Sequence, residues 1–325
     1  KIKKYEKKTI NVKNEILFLN QFAEFKRQKS LAKIIAITGS AGKTSLKNLI
    51  RQLLQNFKKT HSSPRSFNNH LGVPISLSNL SVEDKYGIFE VGMSKRGEIK
   101  SLSKLIQPHI GIITNIGEAH IENFKNINGI AQAKAEIIEN IKENGTIILN
   151  RDDRFFKFFS QKAKLKKIKI VTFGLDKKSD FYPLRITGNK KLKKIFIKAK
   201  NQKITIEIKD INIYNLLASL AVINECSLNL NETKNIFKNY EPTEGRGKIH
   251  LISRYNKKFK LIDESYNANP LSVKNAIINF NSIKKEKFKK YLILGDMLEL
   301  GYKSDMYHKN LSKVINNTDI DKVFI

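Results

Sequence analysis

Cysteine is almost absent: Cys226 is the only one in 325 residues. Neither an internal disulfide framework nor a cysteine metal site is possible within the chain, and a reducing, cytoplasmic setting is the expectation. Acidic residues are scarce, with 30 Asp and Glu against 61 Lys and Arg, a formal net charge of +31. Such a surplus ordinarily points to nucleic acid or an anionic membrane. A binding face clusters its charge, however, and these lysines are spread along the whole chain among many Asn and Ile. A solvated surface is therefore the stronger reading, and no nucleic-acid partner is expected. Long hydrophobic runs are missing too. No stretch approaches the roughly 18 apolar residues of a membrane span, and the start of the chain has no apolar core ahead of a small-residue cleavage site, so no stable membrane insertion is expected.

The length leaves room for roughly two domains at about 100–200 residues each. The chain opens on KIKKYEKK without a Met and closes on VFI, so both ends read as cut. Short apolar runs over residues 32–38, 86–92, 109–116 and 145–150 predict strands. Residues 42–57 predict an amphipathic helix, with apolar side chains at positions 46, 49, 50, 53 and 54. Strands alternating with helical segments imply an α/β fold with a mostly parallel sheet. Residues 171–210 alternate polar and apolar with Gly and Asn turns, an antiparallel excursion, and helices over 213–225 and 230–240 follow. EPTEGRGK (residues 241–248) carries Pro and two Gly and is the candidate hinge. A second alternating series runs from KFKLIDES to KVFI, and no internal repeat is present.

The sharpest local signal is TGSAGKTS: Thr38, Gly39, Ser40, Ala41, Gly42, Lys43, Thr44 and Ser45, between a strand and a helix. In that context backbone amides and a helix N-terminus cradle phosphates, Lys43 reaches the β and γ phosphates, and Thr44 holds Mg²⁺. An incidental Gly-Lys turn would lack the flanking strand and helix. The spacing departs from GxxxxGK[ST], because Ile37 stands at the first glycine position.

Residues 36–44 instead match [GA]-[IV]-T-G-[ST]-x-G-K-[ST], the form found in Mur ligases and folylpolyglutamate synthases. Further matching segments follow in order: SFNNHLGVP (66–74), FEVGMSKRGEI (89–99), TNIGEAHIENF (114–124), AQAKAEI (131–137), YNLLASLAV (214–222), GRGK (245–248), LIDESYNANP (261–270) and LGDMLELG (294–301). The chain thus resembles the Mur ligase family over nearly its whole length. The combination of FNN-x-x-GVP, SYNANP and LGDMLELG is most similar to its D-alanyl-D-alanine-adding branch.

The resemblance implies an ATP- and Mg²⁺-dependent ligase of peptidoglycan synthesis, acting as a monomer. It would join D-alanyl-D-alanine to UDP-N-acetylmuramoyl-tripeptide through an acyl phosphate. It implies that residues 1–30 link to a missing N-terminal domain for the UDP substrate. Residues 31–242 would be the central ATP-binding domain with the phosphate loop, and 243–325 an incomplete Rossmann-like C-terminal domain. Thr44, Glu90 and His120 would hold metal, Glu90 and His120 standing where strands end and ligands bind in such sheets. Isolated Glu and His residues are mostly solvated or structural, so this placement carries the assignment. Lys134 would join them as a carbamate, against the plain alternative of a solvated helix lysine. Asn215, Arg246 and Asp263 would contact nucleotide; Asn68, Asn69, Tyr266, Asn267 and Asn269 would shape the substrate sites, although NANP is also a good turn. Lys43, Lys134, His120 and Arg246 would be the catalytic set. His70 and Glu264 depart from the usual acid and Asp at their positions. A sister Mur ligase or a folylpolyglutamate synthase is the nearest rival; a P-loop ATPase acting on nucleic acid, or a non-catalytic nucleotide-binding module, is the more distant one.

Overall fold

The computed structural model describes residues 9–188, 192–209, 211–283, 285 and 288–325. The Ile-rich runs become strands β1 (Lys33–Thr38), β2 (Thr60–Ser62), β3 (Tyr86–Glu90), β4 (Ile110–Ile113), β5 (Thr146–Asn150) and β6 (Lys169–Phe173). With β7 (Phe181–Gly188), β8 (Lys193–Ala199) and β9 (Gln202–Ile208) they form a nine-stranded sheet, ordered β2-β3-β1-β4-β5-β6-β7-β8-β9. Pairing is parallel from β2 across to β7 and antiparallel through β7, β8 and β9. The antiparallel excursion thus begins at β7, and β6 still belongs to the parallel part; residue 210, its expected end, lies outside the described residues.

Alternation along each strand feeds two cores. In β1, Ile35 and Ile37 face a core shared with α2 (Lys43–Gln55), α7 (Ile213–Glu225) and α8 (Lys234–Asn239). Ile34 and Ala36 face the other, shared with α1 (Glu15–Lys29), α3 (Gly72–Ser78), α4 (Glu98–Ile106), α5 (Ile127–Glu139) and α6 (Phe156–Leu165). The stripe read in α2 is its buried face: Leu46, Leu49, Ile50, Leu53 and Leu54 are at most 1% exposed, each contributing about 1.5–3 kcal/mol by leaving water. Residues 15–29, within the stretch read as a linker, form α1. The Asn14 side chain caps it, and Arg27 donates to the carbonyls of Ile106 (2.6 Å) and Gln107 (2.9 Å) at the end of α4. Residues 1–8 of that stretch lie outside the described residues.

After α8 the chain leaves the sheet. β10 (Lys248–Arg254) and β11 (Lys257–Asp263) pair as an antiparallel hairpin. α9 (Pro270–Asn281), β12 (Tyr291–Ile293), α10 (Ser304–Ile315) and β13 (Lys322–Phe324) then build a small unit with parallel β12 and β13 and a core of Ile277, Met297, Leu300 and Leu311. In the large sheet the chain goes to one side of β1 for β2 and β3 and to the other from β4 onward. The crevice at such a reversal, at the C-terminal strand ends, is where α/β sheets bind ligands.

Candidate active site

β1 ends at Thr38 and the chain turns through residues 39–42 into α2. At Gly39 (φ 149°) a Cβ would stand 1.8 Å from Thr114 Oγ1, so only glycine fits. Gly42 (φ 80°) occupies the left-handed position at the start of α2, beside Asn215. No side chain caps the start of α2, so its first-turn amides have no side-chain partner there. The loop is held from the β4 side. Asn115 accepts from the amides of Ser40 (3.0 Å, carbonyl) and Ala41 (2.9 Å, Oδ1), and Thr114 Oγ1 donates to the Ala41 carbonyl (2.7 Å). Ser40 Oγ accepts from Gly117 N (2.9 Å) and donates to its carbonyl (3.0 Å). These bonds preorganise the loop.

Two lysines donate to one carbonyl: Lys43 Nζ and Lys134 Nζ lie 2.8 and 3.0 Å from Gly39 O. Lys134 is 1% exposed and makes no ion pair among the described residues. Burial, with Lys43 beside it, pushes its amine well below the ordinary lysine value. Burial also lowers Lys43, which Glu90 offsets and Arg246 reinforces. Ser45 follows half-buried in the first turn of α2.

Across from these lysines, Glu90 ends β3 at 1% exposure. Its carboxylate accepts from Thr44 Oγ1 (2.7 Å) and Asn68 Nδ2 (2.8 Å), with Lys47 Nζ at 3.9 Å. Ser66 Oγ lies 3.1 Å from Thr44 Oγ1 and accepts from Arg246 Nη2 (3.2 Å). The Arg246 guanidinium stacks 4.1 Å over the Tyr266 ring, which braces the planar cation while its edge reaches the loop. Asn269 caps α9 in a capping box with Ser272 and sends Nδ2 toward the Ser40 carbonyl (3.4 Å).

Other predicted residues turn to their own backbone. Asn69 Oδ1 accepts from Leu71 N and Gly72 N, and Asn267 Oδ1 from Ala268 N. Asp263 ties down the 241–248 segment, accepting from Gly245 N (2.8 Å) and from Ser265 Oγ (2.6 Å) and N (3.1 Å), and these bonds hold its carboxyl below the usual range. His120 sits at φ 59° with Nδ1 bonded to Glu299. Burial lowers its imidazole despite Glu299, and Lys134 and Lys43 push the same way. The structure thus gathers Lys43, Thr44, Asn68, Glu90, Lys134, Arg246, Tyr266 and Asn269 around the loop, with Asn215 alongside.

The sequence matches a known family. The pattern of the Mur ligase middle domain covers residues 37–223. The chain belongs to the Mur ligase family. Over 320 residues it is 36% identical to the UDP-N-acetylmuramoyl-tripeptide--D-alanyl-D-alanine ligase of Buchnera aphidicola subsp. Acyrthosiphon pisum, covering 97% of this chain and 69% of that protein. MurF from Acinetobacter baumannii superposes with a TM-score of 0.87 at 28% identity, covering 97% of this chain and 68% of that one. The MurF ligase of Thermotoga maritima, solved in complex with ADP, superposes at 0.84 with 24% identity over 97% and 73% of the two chains, a likeness of fold. The fold also brings Lys47, Ser66, Asn115 and Glu299, none of them expected from the sequence, against the predicted residues. Lys47 carried one signal, lying one helical turn beyond Lys43 on the same face.

Proposed function

We propose that this chain performs the D-alanyl-D-alanine-adding step of peptidoglycan synthesis in the cytoplasm, with ATP, Mg²⁺, UDP-N-acetylmuramoyl-tripeptide and D-alanyl-D-alanine. In this reading residues 31–242 are the ATP-binding unit, and 243–325 are the Rossmann-like unit that closes on it. A carboxylate oxygen of the tripeptide attacks the γ phosphorus, forming an acyl phosphate and releasing ADP. The dipeptide amine then attacks the acyl carbon, the C–O bond to phosphate breaks with its electrons on phosphate, and the nitrogen loses a proton. The first step brings an anion to an anion, so orientation and opposing positive charge decide its rate.

The residues supply both. The uncapped first turn of α2 and Lys43 hold the phosphates, and Arg246, carried by the hinge and stacked on Tyr266, approaches from the other unit. Hard cations prefer oxygen and Mg²⁺ keeps several waters. The buried oxygens of Thr44 and Glu90, 2.7 Å apart, fit that preference. Thr44, Glu90 and the free ring nitrogen of His120 would hold Mg²⁺, with Lys134 as a carbamate, its depressed amine being suited to take up CO₂. When bound, the ion offsets charge on the β and γ phosphates. The observation that supports this reading most is the pair of lysines on the Gly39 carbonyl facing the Thr44–Glu90 pair across one phosphate loop. Incubating a full-length version with ATP, the UDP-tripeptide and D-alanyl-D-alanine should release phosphate and form the UDP-linked pentapeptide, whereas these 325 residues should bind ATP without ligating. Phosphate release indifferent to the dipeptide, or driven by a single amino acid instead, would overturn the assignment.

A further inference from the structure

A lysine without an exposed atom in the middle of a helix calls for a reason, since burying an ammonium costs several kcal/mol unless it is paired. Lys47 is 0% exposed on α2. Its Nζ donates to the Ser63 carbonyl (2.7 Å) and to the Arg65 carbonyl, and Glu90 Oε2 lies 3.9 Å away. Of these three partners the two carbonyls accept hydrogen bonds, and Glu90, beyond hydrogen-bond distance, offsets the charge. Two of the three belong to the loop after β2, whose Arg65 is held in the left-handed region at φ 43°. That conformation is strained for a non-glycine residue, and the bond from Lys47 to its carbonyl holds it. Ser63 adds a second tie, its Oγ accepting from Glu90 N (3.1 Å). The next residue after Arg65 is Ser66, the one side chain described above that meets both Thr44 on the phosphate loop and Arg246 on the hinge.

We infer that Lys47 is a positioning residue for the ligation: bound between Glu90 and the loop after β2, it places Ser66 where that hydroxyl engages Thr44 and receives the closing Arg246. It touches no reacting atom. The inference rests on the ligase reading above. Loss of Lys47 frees the loop, misplaces Ser66 and loosens Arg246, so the chemical step slows while the substrates still bind.

The test uses Lys47→Met, Ser66→Ala and the double variant in a full-length version, with kcat, KM for each substrate, ATP binding by calorimetry, and melting temperature. Misplacement of about 1 Å costs about 10²-fold, so Lys47→Met should lose about that factor in kcat. KM for the dipeptide should stay within about twofold and ATP binding should persist. Ser66→Ala should lower kcat in the same direction without a change in melting temperature, and the double variant should be no slower than Lys47→Met, since residues acting in one chain are not additive. A folded Lys47→Met with normal kcat overturns the inference, as do multiplying losses in the double variant. If Lys47→Met does not fold, Ser66→Ala decides alone, and normal kcat there overturns it. A full-length wild-type protein inactive with all three substrates removes the ligase reading itself, an outcome separate from any behaviour of the variants.

Discussion

At the residue scale the phosphate loop was the most legible part of the sequence, because each position in it answers to a separate physical demand. Gly39 must pass Thr114, Gly42 must adopt a left-handed turn, and in the proposed ligase Lys43 would reach phosphate from the first turn of a helix. Lys43→Ala should therefore lower ligation by about 10²–10³, the loss expected for one preorganised charge, with an unchanged melting temperature because the side chain is only half-buried. Turnover and thermal unfolding measured side by side check both halves. Lys134 is different, being sealed in the interior with a depressed amine. Lys134→Ala should lose activity, and short carboxylic acids in the buffer should restore part of it by standing in for the carbamate; a variant as active as the wild type would return Lys134 to a plain core role. Ser66 was not legible and Lys47 gave only its spacing from Lys43, since a helix lysine and a loop serine look solvated until a fold brings carbonyls and Arg246 to them.

At the element scale, strands β1, β3, β4 and β5 and helices α2 and α7 follow the apolar pattern closely. The short elements do not: β2 spans three residues and α3 seven, too few for a period to show. α1 was hidden for another reason. Much of its apolar surface, including Leu17, Phe18, Phe22 and Phe25, is exposed, so its pattern does not mark a buried face. The junction of β1 and β4 holds a titrating group that the pattern also concealed. His109 Nδ1 accepts from Ile34 N (2.9 Å), and burial, with Arg27, Lys142 and Lys33 nearby, lowers its imidazole from 6.5 to about 4. The folded state binds this proton less readily than the unfolded state. The stability it contributes is therefore complete above pH 6.5 and lost as pH falls from 6.5 toward 4. For a partly buried site that is about 2 kcal/mol. Unfolding midpoints of wild type and His109→Gln should diverge above pH 6.5 and converge at pH 4, and a constant gap would count against this origin.

At the scale of the whole molecule, the Pro- and Gly-bearing segment lies between the large sheet and the smaller C-terminal core, and the contacts across the seam between them could not be read from the sequence. They join residues far apart in the chain: Arg246 to Ser66, Asn269 to Ser40, and Glu299 to His120, whose neighbour Glu122 also donates its amide to the Glu299 carbonyl (3.1 Å). Glu299→Ala should leave the sheet unit intact and loosen the docking of the smaller one. Hydrogen exchange should rise around residues 118–124 and 294–303 and stay unchanged in β1, β4 and β5; equal protection everywhere would show that Glu299 does not hold the seam. Most of the contacts described across that seam are hydrogen bonds, with Leu271 against Gly117 and Ile121 against the small core as the apolar exceptions. Heat capacity follows buried apolar surface, so parting the two units should change it little. Their opening and closing should then keep nearly the same balance from cold to warm, while the two large cores of the sheet keep the strong temperature curvature of an ordinary folded domain.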